Sequence, residues 1–189
     1  KRAKFATLEL TKTIAKPIDR FKVLVGGKDK AGEFYRKNFA AMFAYVQNRI
    51  PEISDELYKI DDAMKAGFGW ENGPFEIWDA VGLEQGIELM KTEGSEPALW
   101  IKEMLASGVT SFYSVKEGAT HFYDIPSKKQ TKKPGQESFI ILDNIRKSNE
   151  VWKNSGVVIE DVGDGILNLE FQSKMNTIGG DVLAGINKA

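Results

Sequence analysis

FGWENGPFEIWDAVGLEQGIEL, residues 68–89, is the stretch on which the fold turns. It sets two of the four tryptophans, Trp70 and Trp78, on either side of an Asn-Gly-Pro corner. Pro74 suits the first turn of a helix, because its fixed φ is already helical and its missing N–H would have had no partner there. With Asn72 or Gly73 as the cap, the spacing of Phe75, Trp78 and Val81 predicts a short helix with one apolar face. Gly82 stops it before Leu83 opens another. The segments on both sides read as helices able to close over this corner.

Upstream, Phe5, Leu8 and Ile14 recur at roughly helical spacing, and Pro17 is expected to end that helix. The stretch FKVLVGGKDKAGEF brings a short apolar run to glycines and then to a helix, the outline of a nucleotide-binding turn. Its glycines are Gly26, Gly27 and Gly32, without the G-x-G-x-x-G spacing that lets backbone approach a pyrophosphate, so a loop with Asp29 capping the helix is the better reading. From Lys30 to Ile50, the residues Tyr35, Phe39, Met42, Phe43, Val46 and Ile50 mark one buried face of what should be the longest helix, ended by Pro51. Ser54, followed by Asp55 and Glu56, reads as the cap of a helix whose inner stripe is Leu57, Ile60 and Met64, closed by Gly67.

Downstream, Leu83, Ile87 and Met90 continue to Gly94. Pro97 is expected in the first turn of a helix carrying Trp100, Ile101, Met104 and Leu105 as far as Gly108. The aromatic stripes are read as core, since each apolar side chain fully buried contributes roughly 1.5 to 3 kcal/mol and the spacing already accounts for them. The period then changes: SFYSVKEGATHFYDI alternates about Glu117 and Gly118 and reads as a hairpin. SKKQTKKPGQ, residues 127–136, offers no apolar surface to offset the entropy of ordering it, and reads as a solvated basic linker. A basic patch for phosphates or an acidic partner is the alternative. Beyond it come the apolar run Phe139–Leu142, a polar helical stretch from Asp143 to Trp152, and GVVIEDVGDGILNLEF, a second hairpin about Asp164-Gly165.

Composition narrows the function classes. Of 189 residues, 42% are apolar and 28% charged, the balance of a chain able to bury a core, and the length suits one domain or one domain plus part of another. A net charge of -1 gives no global attraction to nucleic acid or anionic membranes. With no cysteine there is no disulfide, thiolate metal site or cysteine nucleophile. No apolar run reaches the roughly 20 residues that span a bilayer, no signal peptide opens the chain, and a cytoplasmic location is expected. The ends read as those of an excised piece.

The candidates for chemistry are few. His121, the lone histidine, lacks a partner carboxylate or nucleophile nearby in sequence and reads as a strand residue rather than a catalyst. Asp61 and Asp62 are adjacent and point apart on a helix, while Glu71, Glu76 and Asp79 border the corner; capping and solvation are preferred to an acid–base pair. No cluster argues for a metal. The expectation is no catalytic residue, no cofactor-binding residue and no metal ligand in this chain.

The run AGFGWENGPFEIWDAVGLE, with Ile60, Asp61 and Asp62 upstream, resembles the C-terminal domain of the 3-hydroxyacyl-CoA dehydrogenases of fatty-acid β-oxidation, whose signature joins Gly-Pro-Phe to an acidic residue and Val-Gly-Leu. The closest pattern is a multi-domain bacterial type with a nucleotide-binding domain, two copies of the helical domain and a crotonase-fold enoyl-CoA hydratase. This chain looks like the second helical copy plus the first residues of the hydratase. SKMNTIGGDVLAGINKA resembles the start of crotonase-fold hydratases, with Lys174, Asn176 and Thr177 matching an element near the CoA site.

The resemblance implies a mainly α fold: a helical bundle with a β-hairpin over residues 1–126, a basic linker over 127–137, and a connector with a truncated crotonase-like hairpin and helix over 138–189. It implies that NAD and the catalytic His-Glu pair belong to a nucleotide-binding domain absent here. Asn48-Arg49 lies too close to Ile60 and Asp61 to match the Asn-Arg pair that the first helical copy contributes near the catalytic histidine, and reads as a solvent-facing helix end. The expected partners are an acyl-CoA substrate through the parent enzyme, the nucleotide-binding and crotonase domains of the same polypeptide, and a second copy in a homodimer. Trp70, Pro74, Phe75, Trp78, Lys174 and Asn176 are the candidates for substrate binding or docking.

Overall fold

In the computed structural model, which describes residues 3–189 apart from the side chain of residue 147, the chain is mainly α-helical, with two small antiparallel sheets. The order is α1 Ala6–Thr11, α2 Pro17–Gly26, α3 Lys30–Gln47, α4 Leu57–Phe68, α5 Pro74–Val81, α6 Leu83–Thr92 and α7 Leu99–Ala106. Strands β1 Tyr113–Lys116, β2 Ala119–Asp124 and β3 Lys129–Lys132 follow. Then come α8 Leu142–Asn149, β4 Glu150–Lys153, β5 Val157–Gly163, β6 Ile166–Phe171, a 3-10 turn Lys174–Asn176 and α9 Gly180–Lys188. Two compact units result: Lys1–Ser114 with His121–Thr131, and Val115–Thr120 with Lys132–Ala189.

The first unit is built on α3, the longest helix, as its apolar face predicts. Asp29 caps it, its Oδ1 accepting from the Gly32 amide at 3.0 Å and from the Thr7 hydroxyl at 2.7 Å. These donors and the Thr7 amide hold the Asp29 carboxyl down at about 2. Phe39, Phe43 and Val46 turn inward, and α3 packs on α2, α5 and α6. Trp78 of α5 lies flat against Phe43, with ring centroids 4.6 Å apart, and takes Phe112 edge-on at 5.2 Å. Phe75 meets Phe112 at 5.0 Å, so α3, α5 and the segment leading into β1 share one aromatic cluster. The buried Gln47 ties the end of α3 to the start of α7, its Nε2 donating to Glu96 O and its Oε1 accepting from the Ala98 amide.

Two prolines, Pro17 and Pro97, are placed differently from expectation. Pro17 opens α2 instead of ending α1, which has already stopped at Thr11, because a ring without an N–H is as well suited to N1 as to a helix stop. The apolar run before the glycines is therefore helix. Pro97 stands just before the cap residue Ala98 and not within α7. Glu56 occupies the cap position of α4, while the Ser54 hydroxyl accepts from the Glu56 amide in a preceding turn. That helix runs past Gly67 to Gly69, whose positive φ ends it.

The predicted hairpins form about Glu117-Gly118 and Asp164-Gly165. Residues 129–132, expected as solvated linker, form β3: backbone pairing satisfies the segment although its lysines stay exposed. In the second unit β5 is the central strand between β4 and β6. Its residue Val157 packs on Gly185 of α9, while the buried Glu160 faces Arg146 of α8. The polar stretch after Leu142 is helical only to Asn149; Glu150 to Lys153 pairs with β5 instead of extending α8 to Trp152.

Two helical glycines give opposite expectations. A Cβ on Gly86 would stand 2.0 Å from the Trp78 indole Nε1, whereas one on Gly67 would meet nothing within 4 Å. Chemical denaturation should show Gly86→Ala destabilising by about 1–3 kcal/mol through overpacking, and Gly67→Ala stabilising by up to about 1 kcal/mol through helix propensity. Equal effects would show that the Trp78 contact is not tight.

Candidate functional site

The cap position of α5 is Gly73, which has no side chain to serve as cap. The cap comes from another helix: Asp61 of α4 accepts from the Phe75 amide at 2.9 Å through Oδ1 and from the Glu76 amide at 3.1 Å through Oδ2, the donors a local cap would serve. Gly73 is required for this, since a Cβ there would lie 2.3 Å from the Asp61 side chain. Glu76 closes the turn by accepting from the Gly73 amide at 2.8 Å and pairs with Lys65 of α4 at 2.6 Å. Helix α5 is thus pinned to α4 at its first turn.

Asp79 makes the matching contact further along α5. Its Oδ1 accepts from the Phe112 amide and its Oδ2 from the Tyr113 amide, each at 2.8 Å. The Tyr113 hydroxyl donates to Asp61 Oδ2 at 2.8 Å, so one tyrosine is held by both aspartates. Burial pushes both carboxyls up to about 7, against the lowering effect of the hydrogen bonds, and each also feels the neighbouring acids. Burial and the Asp61 carboxylate push the Tyr113 phenol well above its ordinary value, which keeps it a donor.

Carboxyls held near neutrality suit a general acid or base. Here their oxygens are taken up by backbone amides and by Tyr113, and Asp61 is fully buried. The capping reading of the sequence describes them better. Asp62, beside Asp61, points elsewhere and pairs with Lys65 at 3.4 Å.

The candidate docking residues separate. Phe75 and Trp78 are fully buried in the aromatic cluster, with Trp78 Nε1 donating to Leu83 O at 3.1 Å. Trp70 and Pro74 instead line a cavity of about 460 Å³ between α3 and α4. Lys174 and Asn176 are exposed in the second unit, Asn176 beside a polar hollow lined by Glu170 and Phe171.

The cavity adds Met42, Arg49 and Met64 to the candidates. The sequence held a sign of it: Met42 and Tyr45 on α3 and Arg49 just past its end follow one another three and four residues apart. His121 lies partly buried on β2.

A dinucleotide does not fit the glycines before α3. The N-terminus of that helix, where a phosphate would sit, is filled by the Asp29 carboxylate, and the Gly27 carbonyl accepts from Arg36. Among the described residues no three His, Cys, Asp or Glu side chains are grouped to hold a metal, and no helix is long and apolar enough to cross a membrane.

Residues 32–122 match the family model described as 3-hydroxyacyl-CoA dehydrogenase, C-terminal domain, a span that contains Asp61, the α5 corner and Tyr113. This region is a 3-hydroxyacyl-CoA dehydrogenase C-terminal domain. A probable 3-hydroxyacyl-CoA dehydrogenase of Bacillus subtilis (strain 168) is 37% identical over 186 residues, 98% of this chain and 23% of that protein. A protein of Rickettsia prowazekii (strain Madrid E) named as a fatty acid oxidation complex trifunctional enzyme is 33% identical over 115 residues, 60% of this chain and 14% of its own length. A Rickettsia felis protein of the same name is 35% identical over 46 residues, 24% of this chain and 6% of its own. The chain therefore spans less than a quarter of the length of each of these relatives. No solved structure matches it significantly.

The dehydrogenase domain's aspartates make a pH prediction. Their native pKa values lie above the unfolded value of 3.8, at about 7, so the native state binds more protons between pH 4 and 7 and stability falls as pH rises through that window. The slope is at most about 1.4 kcal/mol per pH unit for each carboxyl. Urea unfolding of Asp79→Asn should show a shallower slope between pH 5 and 7 and a loss of about 1–3 kcal/mol at pH 5, because Asn offers one acceptor oxygen for two amides. An unchanged slope would mean that Asp79 titrates normally.

Proposed function

We propose that this chain is a non-catalytic helical part of a multi-domain 3-hydroxyacyl-CoA dehydrogenase of fatty-acid β-oxidation, where it supports domain packing and walls the acyl-CoA site. The parent reaction is the NAD-dependent oxidation of 3-hydroxyacyl-CoA to 3-oxoacyl-CoA in the cytoplasm, with NAD held by a nucleotide-binding domain of the same polypeptide. The observation that carries this reading is the commitment of buried Asp61 and half-buried Asp79, the acids of the matched region tuned near neutral pH, to holding α5 and Tyr113. Hydride transfer needs a base with access to substrate, and a carboxylate consumed by backbone amides lacks it. The names of the relatives support the parent activity.

Residues 138–189 are read as a connector and the beginning of a crotonase-like enoyl-CoA hydratase domain. The passage from the Lys174–Asn176 turn into α9 supports this, as does the exposure of Lys174 and Asn176. A second reading, docking or dimerisation without substrate contact, draws on the exposure of Tyr45, Ile53 and Trp70 around the α3–α4 cavity.

Purified chain mixed with NADH and acetoacetyl-CoA should show no absorbance loss at 340 nm above the protein-free rate; turnover proportional to protein would overturn the non-catalytic reading. Sedimentation of the same sample over a hundredfold concentration range addresses the docking reading. A monomer–dimer equilibrium lost in Trp70→Ala supports it, and a monomer throughout counts against dimerisation.

A further inference from the structure

We infer that Asn72 is a site of spontaneous covalent modification: it deamidates by attack of the Gly73 peptide nitrogen, and Glu76 controls the rate in the folded chain. Asn72-Gly73 is the one Asn-Gly pair in the sequence, and a glycine leaves the nitrogen that must attack unshielded by any Cβ. That nitrogen, once deprotonated, adds to the Asn72 side-chain carbonyl carbon; ammonia departs and a succinimide ring closes. Water then opens the ring at one of its two carbonyls, which leaves aspartate or isoaspartate at position 72. The net change is one water consumed and one ammonia released.

The fold holds the nucleophile back. Asn72 stands half-buried in a bend, between exposed Glu71 and buried Gly73. The Gly73 N–H donates to Glu76 Oε2 at 2.8 Å, and Lys65 fixes the same carboxylate through Oε1 at 2.6 Å. A nitrogen whose proton faces a carboxylate resists losing it, because the anion left behind would sit beside a second negative charge. Ring closure therefore waits until the first turn of α5 opens at Glu76. Asn154, which precedes Ser155, is held differently: its Oδ1 accepts from the Gly156 and Val157 amides and its Nδ2 donates to Asp181 O, so there the carboxamide itself is fixed.

The two products act differently on the cap. Aspartate keeps the main-chain spacing, whereas isoaspartate routes the chain through the side-chain carbon and lengthens it by one methylene just before Gly73. Room is lacking there, since even a Cβ on Gly73 would lie 2.3 Å from the Asp61 side chain. The bonds from the Phe75 and Glu76 amides to Asp61 are the ones displaced. Isoaspartate at this position is a one-way loosening of the joint between α4 and α5.

Ageing the whole chain in mildly alkaline buffer, with peptide mapping by mass spectrometry and electron-transfer fragmentation to identify isoaspartate, tests this. Position 72 should deamidate in the folded chain at least about tenfold more slowly than in the same chain held in urea, the weight of one hydrogen bond to a charged group. Glu76→Ala should raise the folded-state rate by about tenfold or more, and Glu76→Gln, which keeps an acceptor without the charge, should fall between. Gly86→Ala, which strains the Trp78 contact and leaves the Gly73–Glu76 bond alone, should match the unaltered chain, and Asn154 should be indifferent to all three substitutions. The isoaspartate fraction, isolated by ion exchange, should unfold at lower urea than the unaged chain. Should circular dichroism find Glu76→Ala unfolded, Glu76→Gln carries the comparison. Equal rates in folded and urea-held chain, no acceleration in a folded Glu76 variant, or the same acceleration in Gly86→Ala, which would make global unfolding the gate, would overturn the inference. An isoaspartate fraction as stable as the unaged chain would overturn the loosening of the joint.

Discussion

A helix that starts on glycine has amides at its first turn with nowhere to go, and in this chain the Asp61 carboxylate reaches across from α4 to accept them. Most of the dehydrogenase domain's geometry follows from that bond. Asp61 comes close enough to forbid a side chain at residue 73, Pro74 fixes the first helical φ, and Trp78 is carried one turn on into the space between Phe43 and Phe112. Asp79 repeats the device at the other end of α5 for Phe112 and Tyr113. Tyr113 closes the loop by donating to Asp61. Burying two carboxyls is costly unless donors surround them, and here the donors are backbone amides fixed by secondary structure.

Much of this was legible from residue order. Pro74 after Gly73, the Phe75–Trp78–Val81 spacing and Gly82 define α5 without any structure, and the periodic stripe of α3 and the Asp29 cap stand as read. That adjacent Asp61 and Asp62 point apart, and so make no acid–base pair, was recognisable, and capping or solvation was preferred for the acids near the corner. Which amides they serve was not legible: Asp61 meets residue 75, and Asp79 meets residue 112, only after the helices have packed. Pro17 and residues 129–132 escaped for another reason. A proline permits both a helix stop and a helix start, and a strand made entirely of polar residues is ordered by its neighbour's backbone, which composition does not reveal.

The same frame explains why the docking candidates divide. Phe75 and Trp78 face inward because α5 is clamped on both sides, while Trp70 and Pro74 stand on the α3–α4 wall. The Arg49 guanidinium, held by Glu52 and Tyr45, is part of that wall.

Amide hydrogen exchange reports most directly on whether the two aspartates hold the domain together. Deuterium uptake at Phe75, Glu76, Phe112 and Tyr113, followed by nuclear magnetic resonance below pH 7, should be as slow as that of the innermost amides of α3, requiring unfolding of the whole domain. Exchange at those four amides approaching the rate of an unstructured peptide, while the α3 core remains protected, would contradict the account.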